Sequence, residues 1–334
     1  MLPTGIAVMA WSFSGCEGWG TGPGDELTAE ELAAVLEELV FADEAVSTDG
    51  LEDADYQEDV SDATANTSQA VPSLAKAVAD TVWPSWDAGV KWRRRITDRS
   101  RYFKVDTVAA DTAYGTITRV LTGSLRLAFW TRDSLGEKVI TDSLDKSLEI
   151  ETTRRIRFVK SGDPADSSRG WRVAGMTAVL GTAGDKVSVQ SLSFVTPDTT
   201  IGISREDVLN HFYVRAELPR FQPLDTLQCY AQVVNLGPVF PWASGEKVIV
   251  RRVGRIGAQG FTNRARLRDD GRGVDQTIRD NIFSGSFLVN PKPDKPRTYR
   301  LFVEVKDLAS YFVTTEGYHC EFIGFPYLVD DAVQ

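Results

Sequence analysis

Apolar residues recur at two different periods along this chain, and the change of period divides it. Over residues 28–46, Leu32, Val35, Leu36 and Leu39 fall at i, i+3, i+4 and i+7, one stripe of an amphipathic helix. Thr28 is placed to cap that helix and Glu31 to complete a capping box, while the acidic first turn complements the helix dipole. Residues 47–70 are rich in Ser, Thr, Asp, Glu and Asn with few apolar anchors, and read as loop or disorder. A second helix is predicted over 72–82, where Pro72 suits a first turn and Leu74, Val78 and Val82 follow at four-residue spacing.

From Trp92 to about Val195 the period becomes two. The runs 102–108, 115–123, 125–130, 154–160, 171–176 and 187–195 are β-rich and bounded by turn residues, with 161–166 as a hairpin loop. Residues 196–207 interrupt the pattern. Beyond them Leu227, Cys229, Ala231 and Val233 share one face of a strand. Tyr299, Leu301, Val303 and Val305 share a face of another, with Arg300, Glu304 and Lys306 mostly opposite. Pro291, Pro293 and Pro296 sit between strands, where they cost no ladder bonds. Helices followed by antiparallel strands are the α+β order. The expected architecture is an α+β middle domain, helices packed on a curved antiparallel sheet, over 71–198. A linker follows at 199–209, then an all-β sandwich at 210–330. A leader, 1–16, and an acidic spacer, 17–70, precede them.

Composition supports packed cores, with 42% hydrophobic and 10% aromatic residues in a 334-residue chain. The net charge of −10 conceals an asymmetry. Residues 1–90 carry 18 Asp and Glu against Lys76 alone, whereas residues 91–334 have a balance of +7. An acidic leader on a mildly basic body reads as a solvated tether or an arm folding back on that body. A nucleic-acid binder would carry a far more basic body, so nucleic acid is not an expected partner. The densest basic run, 92–101, has Trp92 and Tyr102 beside it. On a strand Arg93 and Arg95 share one face, while Arg94 and Ile96 share the other. Arg154, Arg155 and Arg157 offer a neighbouring rung. A solvated sheet face, or pairing with the acidic leader, is the expected role.

The apolar run at 5–13 is too short to span a bilayer and ends in Phe13, Ser14, Gly15 and Cys16. In this order of features the chain resembles a bacterial lipoprotein precursor, although Phe13 stands where Leu is usual and no Lys or Arg precedes the run. That resemblance implies cleavage before Cys16, acylation of Cys16, and a lipid-anchored place in the cell envelope. The helices leading into strands that end in Gly170, Trp171, Arg172 and Val173 resemble the NTF2-like family over about 70–198, with a cystatin-like or lipocalin-like β-rich domain as the alternative. Its cone-shaped sheet implies a small apolar cavity for Trp83, Trp86, Trp92, Phe103, Tyr114 and Phe129, with core packing as the alternative. Residues 70–198 contain no histidine, which argues against a His-based enzyme in such a cone. Asp269, Asp270, Gly271, Asp275, Asp280, Asn281, Phe283, Ser284 and Gly285 resemble the acidic-turn signature of bacterial immunoglobulin-like modules over about 210–330. Val274 and Asn281 stand here where that signature has glycine.

Candidate chemistry is sparse. Asp269, Asp270, Asp275 and Asp280 offer hard oxygens that suit Ca²⁺, but turn formation by Asp and Asn accounts for the same residues. Gly254, Gly257 and Gly260 read as hairpin glycines, and neither His211 nor His319 adjoins a nucleophile motif. Cys229 and Cys320 are either a disulfide in an oxidising compartment or two buried thiols. The expected function is binding or scaffolding without catalysis and without a cofactor, toward a protein or small-molecule ligand. The alternative is a small-molecule enzyme or receptor built on a middle-domain cavity.

Overall fold

The computed structural model describes residues 27–43, 56–59, 89–162, 167–237, 245–253, 264–290 and 298–329. The predicted helix forms as α1 (Ala29–Ala42), with Thr28 and Glu31 closing the capping box. The predicted helix at 72–82 lies outside the described residues. Strands follow: β1 (Tyr56–Asp59), β2 (Gly89–Val108), β3 (Thr112–Arg132), β4 (Lys138–Lys160), β5 (Trp171–Met176), β6 (Val179–Ala183), β7 (Val187–Val195) and β8 (Thr200–Ser204). The chain continues through β9 (Tyr213–Val214), β10 (Arg220–Phe221), β11 (Thr226–Asn235), β12 (Glu246–Val253), β13 (Arg264–Leu267), β14 (Ile282–Leu288) and β15 (Thr298–Asp307). It ends with the short helix α2 (Ala309–Phe312) and β16 (Cys320–Val329). No helix among the described residues is long and apolar enough to cross a membrane.

Two sheets result. The larger runs β1-β2-β3-β4-β6-β16-β15-β12-β13, and the smaller runs β14-β11-β7-β8. The strands β2, β3 and β4 are 20, 21 and 23 residues long and pair antiparallel over most of their length. They form a ribbon about 70 Å long at the usual strand rise.

The larger sheet is covered on both faces where β15 and β16 lie. One face packs on the small sheet, burying Val189, Phe194, Leu227, Cys229, Phe287, Val303 and Phe325 in a β-sandwich core. The other face packs against the ribbon, burying Trp92, Leu125, Leu127, Leu148, Phe302, Tyr311 and Phe322. A third core lies at the ribbon's far end, where Leu36 and Val40 of α1 meet Ile117, Ile156, Phe158 and Trp171. The sheet also curls on itself. Arg94 of β2 bonds Glu304 of β15 although β3, β4, β6 and β16 separate those strands in the sheet order.

This arrangement corrects the expected fold class. The described middle residues are not an α+β, NTF2-like unit with helices packed on a cone; they are almost all strand in two antiparallel sheets. The apolar face of the ribbon needed a cover, and β15, β16 and α2 supply it where helices were expected. Nor does the sandwich stand apart from that stretch. β7 and β8 precede residue 210 yet form half of the small sheet, and β6 joins β4 to β16. A single core therefore draws on residues from both sides of 199–209.

Candidate functional site

The outer face of the small sheet is built by strict alternation. Val189, Leu192 and Phe194 of β7, Ile203 of β8, Leu227, Cys229, Ala231 and Val233 of β11, and Phe283 and Phe287 of β14 all point into the sandwich core. Because strand side chains alternate, the residues between them face away from that core. The registers align them in three rows. Ser204, Ser191, Gln232 and Ile282 form the first; Gly202, Ser193, Tyr230 and Ser284, the last of them buried beside Arg268, the second; Thr200, Val195, Gln228 and Ser286 the third. A bulge opposite Gln232 and Val233 turns Gln190 outward beside Ser191.

None of these twelve positions carries a charge, in a chain of which 25% is Asp, Glu, Lys or Arg. Uncharged polar side chains dominate instead, and each Ser, Thr, Gln or Tyr can both donate and accept. Tyr230 holds an inner position of the middle row, half-buried between its neighbours. Its hydroxyl donates to Gln228 Oε1 at 3.0 Å, and the Ser191 hydroxyl donates to Gln232 Oε1 at 3.3 Å. Gln190 donates to Ser188 Oγ at 2.8 Å. A Cβ placed on Gly202 would meet nothing within 4 Å, so the surface beside Ser193 is open. Charge appears at the rim. Arg268 bridges to Ser284 and lies 3.5 Å from Asp270, and Asp207 accepts from Ser204 at 2.6 Å.

Charge of another kind is sealed in the curled interior. Glu304 accepts from Arg94 at 2.7 Å and lies 3.3 Å from Lys306, whose ammonium sits 3.9 Å from the Trp92 ring centre. Burial alone would raise the Glu304 carboxyl, but Arg94, Lys306 and Arg251 outweigh it and hold the group below the usual carboxylate range. The desolvation of Arg94 is likewise outweighed, chiefly by Glu304, so its guanidinium is held charged. Burial pushes the neighbouring Cys320 thiol up to about 11 and the Tyr318 phenol well above its ordinary value. Lys146 donates to the carbonyls of Ser310 and Val313 at 2.6 and 2.7 Å, pinning α2 to β4.

The residues singled out in the sequence scatter over these environments. Trp83, Trp86 and Cys16 lie outside the described residues. Trp92 and Phe129 are buried against β15 and β16, Phe103 packs beside the α1 core, and Tyr114 meets Phe212 at 5.3 Å between ring centres. The described members of the aromatic set therefore do not line one space.

Cys229 and Cys320 are both free and buried, on opposite faces of the β15–β16 layer. Arg93 and Arg95 face solvent as the alternation predicts, whereas Arg94 turns into the core. His211 stacks edge-on against Tyr213 at 4.6 Å, and His319 Nδ1 accepts from the Asp185 N–H at 3.3 Å.

In the acidic turn, carboxylate oxygens of Asp269, Asp275 and Asp280 lie within 4.8 Å of one another. Each is already an acceptor for the backbone. Asp269 takes the N–H groups of Arg279, Asp280 and Asn281, Asp275 that of Gly271, and Asp280 that of Ile282. Asn281 has a φ of 64°, so it adopts the left-handed conformation that the signature's glycine would supply. Asp270 accepts from the Arg272 N–H at 3.1 Å.

The apolar half of each strand's alternation, which predicts the core, does not disclose the charge-free face. The signal lay in the polar half, where Ser188, Ser191, Ser193, Gln228, Tyr230 and Gln232 all lack charge. No protein-family model, curated protein or solved structure matches this chain.

Proposed function

We propose that this is a non-catalytic binding protein, exported and held at a bacterial envelope by acylated Cys16, that takes an uncharged, hydroxyl-rich ligand on the outer face of the small sheet. The observation that carries this reading is the uncharged lattice centred on Tyr230. Phosphorylated or anionic ligands would call for Arg or Lys, which the twelve positions lack. Protein hot spots are enriched in Trp, Tyr and Arg, and of these the twelve positions hold Tyr230 alone. Oligosaccharides fit both halves of the chemistry. Their hydroxyls donate and accept as Ser, Thr and Gln do, and their C–H faces suit the amphipathic ring of Tyr230.

An array of neutral and charged oligosaccharides tests the ligand class. Wild-type protein is expected to bind neutral members, and Tyr230→Ala to bind them at least tenfold more weakly with its melting temperature little changed. Binding confined to acidic glycans, or insensitive to Tyr230→Ala, would refute the assignment. The anchor is tested separately by metabolic labelling with a clickable fatty acid. Label is expected on the wild type and absent from Cys16→Ser; equal labelling of the two would remove the anchor.

A further inference from the structure

Beside the Arg94–Glu304–Lys306 cluster stands a cation that the cluster does not satisfy. Arg251 projects from β12 to the same side of the sheet as Glu304 and is 6% exposed. Its Nε and Nη2 atoms are buried and have no hydrogen-bond acceptor among the described residues. Its guanidinium carbon lies over the face of Phe302, 5.2 Å from the ring centre. Glu304 is engaged by Arg94 and Lys306, at 2.7 and 3.3 Å. Tyr318 and Cys320 cannot supply the missing negative charge near neutral pH, because burial favours their neutral forms.

A second guanidinium lies alongside. Arg264 of β13 is the direct register partner of Arg251, so both side chains leave the same face of the sheet. Like charges in that relation repel unless something negative lies between them. Arg264 is only half-buried, and β13 is the last strand of the larger sheet. The pair therefore runs from a buried, unsatisfied guanidinium outward to a solvent-touched one at a sheet edge.

We propose that Arg251 and Arg264 form a binding site for a small oxyanion, a carboxylate or phosphate, entered from the β13 edge. The planar guanidinium forks offer paired N–H donors whose spacing matches two oxygens of such an anion. Nε and Nη2 of Arg251 make up one fork, and they are the two atoms that lack acceptors. Binding would satisfy those donors of Arg251 and place a negative charge beside both guanidinium groups. The site lies on the far side of the larger sheet from the small sheet and is independent of the ligand proposed for Tyr230.

Inorganic phosphate, acetate and chloride, each titrated into the full chain at constant ionic strength, test this by calorimetry and by thermal shift. Saturable uptake of phosphate or acetate is expected, with a rise in melting temperature that chloride does not reproduce. The tighter of the two identifies whether the site prefers a phosphate or a carboxylate. Arg251→Met is expected to weaken that uptake at least tenfold. Should it fail to fold, Arg264→Met at the half-exposed position is expected to weaken uptake several-fold with the fold retained. Equal responses to all three salts, or undiminished uptake by whichever of these variants folds, would overturn the site and leave Arg251 as an internal charge stacked on Phe302.

Discussion

Glu304→Gln is expected to destabilise the protein by about 3–5 kcal/mol, the usual cost of removing one partner from a buried ion pair. The substitution preserves shape and leaves Arg94 and Lys306 facing a neutral amide inside the curled sheet. Denaturant unfolding should show the loss as a shifted midpoint with an unchanged slope. The quadruple variant Arg94→Met, Arg251→Met, Glu304→Leu, Lys306→Met should recover most of it, because apolar residues of similar volume remove the desolvation penalty together with the attraction. A loss under about 1 kcal/mol for Glu304→Gln would mean that the pair is solvated, and β2 would not then close on β15 as described.

The same residue predicts a pH dependence. Its folded carboxyl is held below the ordinary value, so its contribution is fully present above the unfolded pKa. That contribution is lost as pH falls through the folded value. Glu304→Gln should therefore have a flatter acid limb than the wild type between neutrality and strong acid.

How much of this was legible in the sequence depends on which face of each strand is considered. The α1 helix was readable because its cap, first turn and stripe all agree locally. The inward faces of β11 and β15 were readable because alternation specifies a buried half. The opposite half of β15 was not. Arg300, Glu304 and Lys306 look like solvent-facing positions, yet they are 6%, 1% and 0% exposed. Periodicity states that two faces differ; it does not state what covers the second one. Here the cover is β2, some 210 residues earlier in the chain. The same non-local pairing hid the partner of β7, which reads as part of the middle sheet and joins β11 instead, while β6 falls in none of the predicted runs and joins β4 to β16. The uncharged face of the small sheet, by contrast, rests on local composition and is open to a reading of which polar residues alternate with the apolar ones.

The second large effect is expected at Gly181, in the five-residue strand that joins the ribbon to the sandwich. Gly181 is the register partner of Phe322, the tip of whose ring covers it. A Cβ there would collide with the ring, and Phe322 is fully buried. Gly181→Ala should cost about 3 kcal/mol, the upper part of the range for overpacking. Phe322→Leu alone should cost about 1–2 kcal/mol as a shape change in a packed core. The double variant should be less destabilised than the sum of the two, since the smaller side chain removes the clash that the first change creates.

Location makes the Gly181 prediction more than a packing test. Gly181 pairs with Thr152 of β4 on one edge of β6 and with Phe322 of β16 on the other. Displacing the ring there loosens the seam between ribbon and sandwich while leaving the sandwich core untouched. Hydrogen exchange should then show β4 and β6 amides losing protection before those of β11 and β15. Uniform loss across all four strands would instead mean that the ribbon and the sandwich open as one cooperative unit, with β6 as an ordinary interior strand rather than the hinge line between them.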